Sequence, residues 1–112
     1  MDRIEQLKTL LAERLKPLDP KKVILFGSYA YGTPNPESDI DLYVVTKDDY
    51  LPKNYEESNE VYMRISRKIR DIKEEFPIDL IVHTKKMYER FIQLNSSFSR
   101  EILSKGIALY ES

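Results

Sequence analysis

The chain has no cysteine and a single histidine, His83, in 112 residues. Without thiols, disulfides, zinc–thiolate sites and cysteine nucleophiles are excluded, which suits a reducing compartment. Long apolar runs are missing too. None approaches the ~18 residues of a membrane span, and the amino terminus has no apolar signal segment. A cytoplasmic protein that contacts no membrane is expected, and the acceptor pattern Asn95-Ser96-Ser97 has no glycan meaning in that setting. Positive charge is not in excess: 18 lysines and arginines face 19 acids, a net charge of −1. Chains that live on nucleic acid backbones normally carry a basic excess, so direct nucleic-acid binding is not expected. There is no internal repeat and no low-complexity segment. A composition of 41% hydrophobic and 33% charged residues fits one globular domain spanning 1–112.

Apolar residues at Ile4, Leu7, Leu11, Leu15 and Leu18 step by three and four, with Leu10 widening the stripe, and predict an amphipathic helix. Asp2 with Glu5 three later is a start signal, and Pro17 and Pro20 close the helix. Val23-Ile24-Leu25-Phe26 reads as a short buried strand ended by Gly27. Residues 33–38 (Thr-Pro-Asn-Pro-Glu-Ser) are turn chemistry. A second strand runs from Asp39 to Thr46, with Ile40, Leu42 and Val44 on one face and Asp39, Asp41 and Tyr43 on the other. A polar loop over 47–57 precedes a second long helix over 58–76, marked by Val61, Ile65, Ile69, Ile72 and Phe76 and ended by Pro77. The third strand, 78–83, sets Ile78, Leu80 and Val82 against Asp79, Ile81 and His83. Helical stretches at 85–94 and 97–105 follow. Gly106 suits the C′ position of the second, and 107–110 returns as a strand. This order predicts an α+β fold whose sheet has helices on one face and is open on the other.

The chemistry gathers in residues 27–41 and at Asp79. Asp39 and Asp41 are two apart on a strand, so they point the same way with Cα atoms about 6–7 Å apart. Like charges that close repel unless something positive lies between them. A hard divalent cation, Mg²⁺, is the natural candidate and commonly brings a phosphate with it. Asp79 repeats the pattern of an acid in an apolar strand, where a buried unpaired carboxylate would be costly. If its strand lies beside the second, three carboxylates converge. Three are enough to hold two Mg²⁺ ions about 4 Å apart, the spacing used for in-line displacement at phosphorus. Upstream, Ser28 opens a short helical turn whose N–H groups can meet a phosphate, and Gly27 lets the backbone approach closely. Gly27 alone is equally a plain turn glycine; the downstream acids favour the phosphate reading. The Walker pattern fails, because Thr33 follows Gly32. His83 reads as a strand-end histidine bonded to backbone or water, with catalysis as the lesser reading. Tyr43 reads as packing before base stacking.

Gly27-Ser28, then Ser38-Asp39-Ile40-Asp41-Leu42 about ten residues on, then Asp79 in a later strand together resemble the minimal nucleotidyltransferases of the polymerase-β superfamily. The resemblance is closest to the MNT-type antitoxins encoded beside HEPN-domain toxins, and it covers essentially the whole chain. It implies a polymerase-β-like core with a mixed sheet, helices on one face and the active site on the open face. It also implies that Asp39 and Asp41 bind metal, that Asp79 completes the metal and catalytic site facing the acceptor hydroxyl, and that Gly27 and Ser28 hold the triphosphate. Two Mg²⁺ ions would be the cofactors and ATP the substrate. AMP would pass to a hydroxyl, a tyrosine, of a partner HEPN toxin held in a hetero-oligomer. Tyr29 and Tyr31 stand where many members carry arginine, so the alternative is a binding module that neutralises its toxin by occlusion. A small-molecule transferase ranks third.

Overall fold

The computed structural model describes residues 3–32 and 39–112. The Asp2 start signal, the 33–38 turn and Ser38 lie outside the described residues. The first helix, α1 (Arg3–Leu15), buries Leu7, Leu11 and Leu15 and passes into a short 3-10 turn, Lys16–Leu18, that carries Pro17. Then come β1 (Lys22–Phe26), the one-turn helix α2 (Ser28–Tyr31) and β2 (Ile40–Val45). After a loop, α3 (Tyr55–Lys68) and α4 (Arg70–Glu75) lead to β3 (Ile78–His83). The chain continues through α5 (Lys85–Leu94), α6 (Ser97–Lys105) and β4 (Ile107–Glu111).

The four strands form one mixed sheet in the order β3-β2-β1-β4. β1 pairs antiparallel with both β2 and β4, whereas β2 and β3 run parallel. A parallel pair needs a crossover, and α3 with α4 supplies it. On one face Val23, Leu25, Ile40, Leu42, Val44 and Leu80 meet the leucines of α1 and Ile65, Ile69 and Ile72. This is the aliphatic face expected from the alternation in β2 and β3.

The opposite face is covered more than expected. Ile24, Phe26, Tyr43 and Val45 are buried there beneath Tyr88 of α5 and Ile102 of α6, with Ile81 and Phe91 alongside. Helices therefore flank both sides of the sheet, because the apolar faces of α5 and α6 must be buried somewhere. The end of that face carrying the acids stays accessible, since Asp39 and Asp79 are exposed and Asp41 is half-buried.

Two further differences have local causes. The helix expected over 58–76 begins earlier and is broken. Asn54 caps it by accepting the Glu57 N–H at 3.0 Å, and the Glu57 side chain accepts the Lys53 N–H at 2.7 Å. At Ile69 (φ −117, ψ 19) the helical path breaks, yet Ile69 stays fully buried and keeps both halves on the sheet. Gly106 is extended (φ −68, ψ 157) and not left-handed. It is constrained by space: a Cβ there would strike the Ile102 carbonyl oxygen and lie 2.5 Å from Ile24 Cγ2.

Candidate active site

The parallel register makes Asp41 and Asp79 direct partners on β2 and β3. Adjacent strands lie about 4.8 Å apart, so the two acids are neighbours by backbone construction. Asp39 precedes β2 and is close enough for its charge to act on Asp41. On the other side of β2, Phe26 is the partner of Asp41, which brings the following Gly27 beside the same carboxylate. Gly27 caps α2 with φ 80 and ψ −163, and its carbonyl accepts the N–H groups of Ala30 (3.0 Å) and Tyr31 (3.1 Å). A Cβ at position 27 would collide with Asp41 Oδ2. Glycine thus lets the carboxylate lie against the turn. Ser28 follows as the first residue of α2, where the leading N–H groups have no intrahelical acceptor. The five residues singled out in the sequence stand together at one end of the sheet.

Charge at this end is unbalanced. The Asp41 carboxyl is held above the ordinary carboxylate range, by burial first and then by the charges of Asp79, Asp39 and Glu101. No ion pair among the described residues involves Asp39, Asp41 or Asp79. Among the described residues, no three acids or histidines close together tightly enough to grip a metal ion. The carboxylates are side by side without forming the finished ligand cage that convergence of three acids suggested. Their chemistry nevertheless fits a hard divalent cation: oxygen donors only, one of them partly desolvated, and a mutual repulsion that a cation relieves.

Two residues unremarked in the sequence, Glu101 and Lys105, join the site through Asp41 and Tyr31. α6 docks beside β1, with the Phe98 ring edge-on to Phe26 at 5.8 Å between centroids. That places Glu101 near Asp41 and near Tyr31. Among the described residues the buried Tyr31 hydroxyl has no hydrogen-bond partner of good geometry, and Glu101 acts on it chiefly through charge. Burial, then Glu101 and Asp41, raise the Tyr31 pKa against an opposing contribution from the Gly27 backbone. The Lys105 ammonium lies 5.8 Å from the centre of the Tyr31 ring. Glu101 and Lys105 read as ordinary surface charges on an amphipathic helix, and only the docking of α6 reveals them. Tyr29 packs the other way, against the aliphatic core.

Tyr43 and His83 are structural. Tyr43 is fully buried among the Tyr88 and Phe91 rings, and its hydroxyl meets His83 Nδ1 at 2.7 Å. Tyr43 therefore packs and does not stack on a base, while His83 finds a side-chain hydroxyl in place of backbone or water. Burial lowers the His83 pKa. A cavity of about 320 Å³ beside Lys47, Asp48 and Arg64 lies past the far end of β2 from Asp41. It contains the Arg64–Asp48 ion pair and none of the acids described above.

The Nucleotidyltransferase domain family matches residues 4–109. A Methanocaldococcus jannaschii relative named "Putative protein adenylyltransferase" is 33% identical over 90 residues, covering 80% of this chain and 78% of the relative. Among solved structures, a toxin–antitoxin crystallised with AMP-PNP superimposes with a TM-score of 0.59 at 20% identity, over 94% of this chain and 73% of that one. A "putative nucleotidyltransferase" from Sulfolobus solfataricus gives a TM-score of 0.60 at 22% identity, over 96% and 82% of the two chains. At those identities the structural neighbours share the fold.

Proposed function

The chain belongs to the nucleotidyltransferase family, and we propose that it moves AMP from ATP to a tyrosine hydroxyl of a HEPN-type toxin, acting as the antitoxin of that pair. The in-register Asp41–Asp79 pair set against the Gly27 turn carries this reading. The name of the 33% identical relative supports protein adenylylation, and the toxin–antitoxin neighbour supports a protein partner.

Asp39 and Asp41, with Asp79, would hold Mg²⁺. Bound there, the metal supplies positive charge to the triphosphate and to the departing pyrophosphate. Gly27 keeps the turn backbone open to close approach, and the Ser28 N–H and hydroxyl donate to the β- or γ-phosphate oxygens. Asp79, exposed on the edge strand, accepts the proton of the attacking hydroxyl. The new bond joins the tyrosine oxygen to the α-phosphorus. The bond from that phosphorus to the α–β bridging oxygen breaks, and pyrophosphate leaves with the bonding pair.

The test is mass spectrometry of the purified toxin after incubation with this chain, Mg²⁺ and ATP. A gain of one or more AMP units that disappears with Asp39→Ala/Asp41→Ala supports the reading. No gain with the native chain, together with continued neutralisation by the double variant, identifies a module that acts by occlusion.

A further inference from the structure

The turn that would receive the triphosphate has no cation of its own, since α2 consists of Ser28, Tyr29, Ala30 and Tyr31. A nucleoside triphosphate brings several more negative charges to a place where Asp39, Asp79 and Glu101 already act against ionised Asp41. Beyond the Mg²⁺ that the carboxylates would hold, a cation from another element would help to balance this charge, and α6 is the element packed beside this turn. Its Phe98 touches Phe26, the residue before Gly27, and Gly106 at its end presses on Ile24. Ser97, Phe98, Arg100, Glu101, Ser104 and Lys105 line a cavity of about 440 Å³, large enough for a small ligand.

Two cations border that cavity. Arg100 is already committed, donating to the Asn95 carbonyl at 2.6 Å. Lys105 is exposed and forms no ion pair among the described residues; its ammonium rests 5.8 Å from the Tyr31 ring centre. A cation–π contact at that range is weak at an exposed site and is easily exchanged for a phosphate oxygen. Lysine suits this task because it binds phosphate as a mobile point charge at the end of a long stem.

We infer that Lys105 supplies the missing cation of the nucleotide site, its ammonium binding the β- and γ-phosphates of the triphosphate held at Gly27 and Ser28. The inference rests on the nucleotidyl-transfer reading above. The bland role for Lys105 is to complement the C-terminal dipole of α6, which would alter helix stability without discriminating among nucleotides.

Calorimetric titration of the native chain, Lys105→Ala, Lys105→Arg and Lys105→Glu with Mg²⁺–AMP-PNP and with AMP separates these roles. Lys16→Ala serves as a charge control. Lys105→Ala is expected to weaken AMP-PNP binding by about tenfold or more while changing AMP binding by less than about threefold. Lys105→Glu should weaken it further, Lys105→Arg should retain most of it, and Lys16→Ala should match the native chain. Lys105 variants that bind AMP-PNP as the native chain does would overturn the inference and leave the transfer reading intact. Equal losses for both ligands, or a lowered melting temperature that explains the loss, would assign Lys105 to structure. A native chain that binds no nucleotide would sink both.

Discussion

A methyl group added at Gly27 would have to displace either the Asp41 carboxylate or the turn itself. The backbone there (φ 80, ψ −163) occupies a region essentially confined to glycine, and holding alanine in it costs about 1–3 kcal/mol. The added Cβ would also fall on Asp41 Oδ2. Gly32 offers an internal comparison. Its φ of 79 and ψ of 17 are left-handed helical, a conformation that costs alanine about 1–2 kcal/mol, and no described atom lies within 4 Å of a Cβ built there. Gly32→Ala should therefore lose the backbone contribution alone, lowering the melting temperature by about 4 °C or more per kcal/mol for a domain of this size. Gly27→Ala should lose about 1–3 kcal/mol and also shift the carboxylate. Displacing a reacting group by about 1 Å can cost about a hundredfold in rate. Urea unfolding and AMP transfer, measured on both variants below their melting transitions, should show two destabilised proteins of which only Gly27→Ala is catalytically crippled. Equal specific activities for the two, or a Gly27→Ala protein within about 0.5 kcal/mol of native stability, would refute the reasoning.

Asp41→Asn tests the electrostatics. A carboxyl whose folded pKa is raised binds its proton more readily in the native state than in the unfolded one. Native stability therefore falls as pH rises from the ordinary 3.8 through the raised value. The variant escapes this, so without divalent cations it should melt higher than the native chain near neutral pH, with the gain vanishing towards pH 3.8. Thermal melts across that range check it, and a variant that melts lower at neutral pH would contradict the charge balance described here. Tyr43→Phe removes the hydroxyl that meets His83 and should cost about 0.5–1.5 kcal/mol in urea unfolding. Because burial lowers the His83 pKa, the unfolded chain takes up that proton first, and stability should decline as pH falls below 6.5. An NMR titration placing His83 at or above 6.5 would contradict its burial.

Much of this arrangement is readable along the chain, for identifiable reasons. In β2 and β3 the residues Ile40, Leu42 and Val44 and the residues Ile78, Leu80 and Val82 take one face, so Asp41 and Asp79 share the other, where Tyr43, Val45 and Ile81 gave notice of the second apolar layer. The capping residues Thr84 and Ser96 precede α5 and α6 and mark where those helices start. The start of α3 was also encoded, as Asn54 followed three residues later by Glu57, but the polar residues around that pair resemble an ordinary loop. The break at Ile69 left no local trace, because buried isoleucines keep helical spacing across it. What could not be read is where α5 and α6 dock. Their apolar faces announce burial without naming the surface that covers them. Glu101 and Lys105 therefore look like solvated charges until α6 settles beside β1. Gly106 shows the same limit in part: a Cβ there would strike the nearby Ile102 carbonyl oxygen and also Ile24, more than eighty residues upstream, and the second contact has no signal near position 106.

The parallel pairing of β2 and β3 makes the gap between Asp41 and Asp79 a property of the main chain. Exchanges among the leucines and isoleucines beneath the sheet leave that gap alone, but a one-residue slip of β3 would turn Asp79 into the oily layer and lift Leu80 into its place. The bond from the Ile40 N–H to the Pro77 carbonyl, 2.8 Å, fixes the first rung of this ladder. A lineage can thus rewrite most of the hydrophobic interior and keep its chemistry, whereas a single codon gained or lost between α4 and β3 would end it.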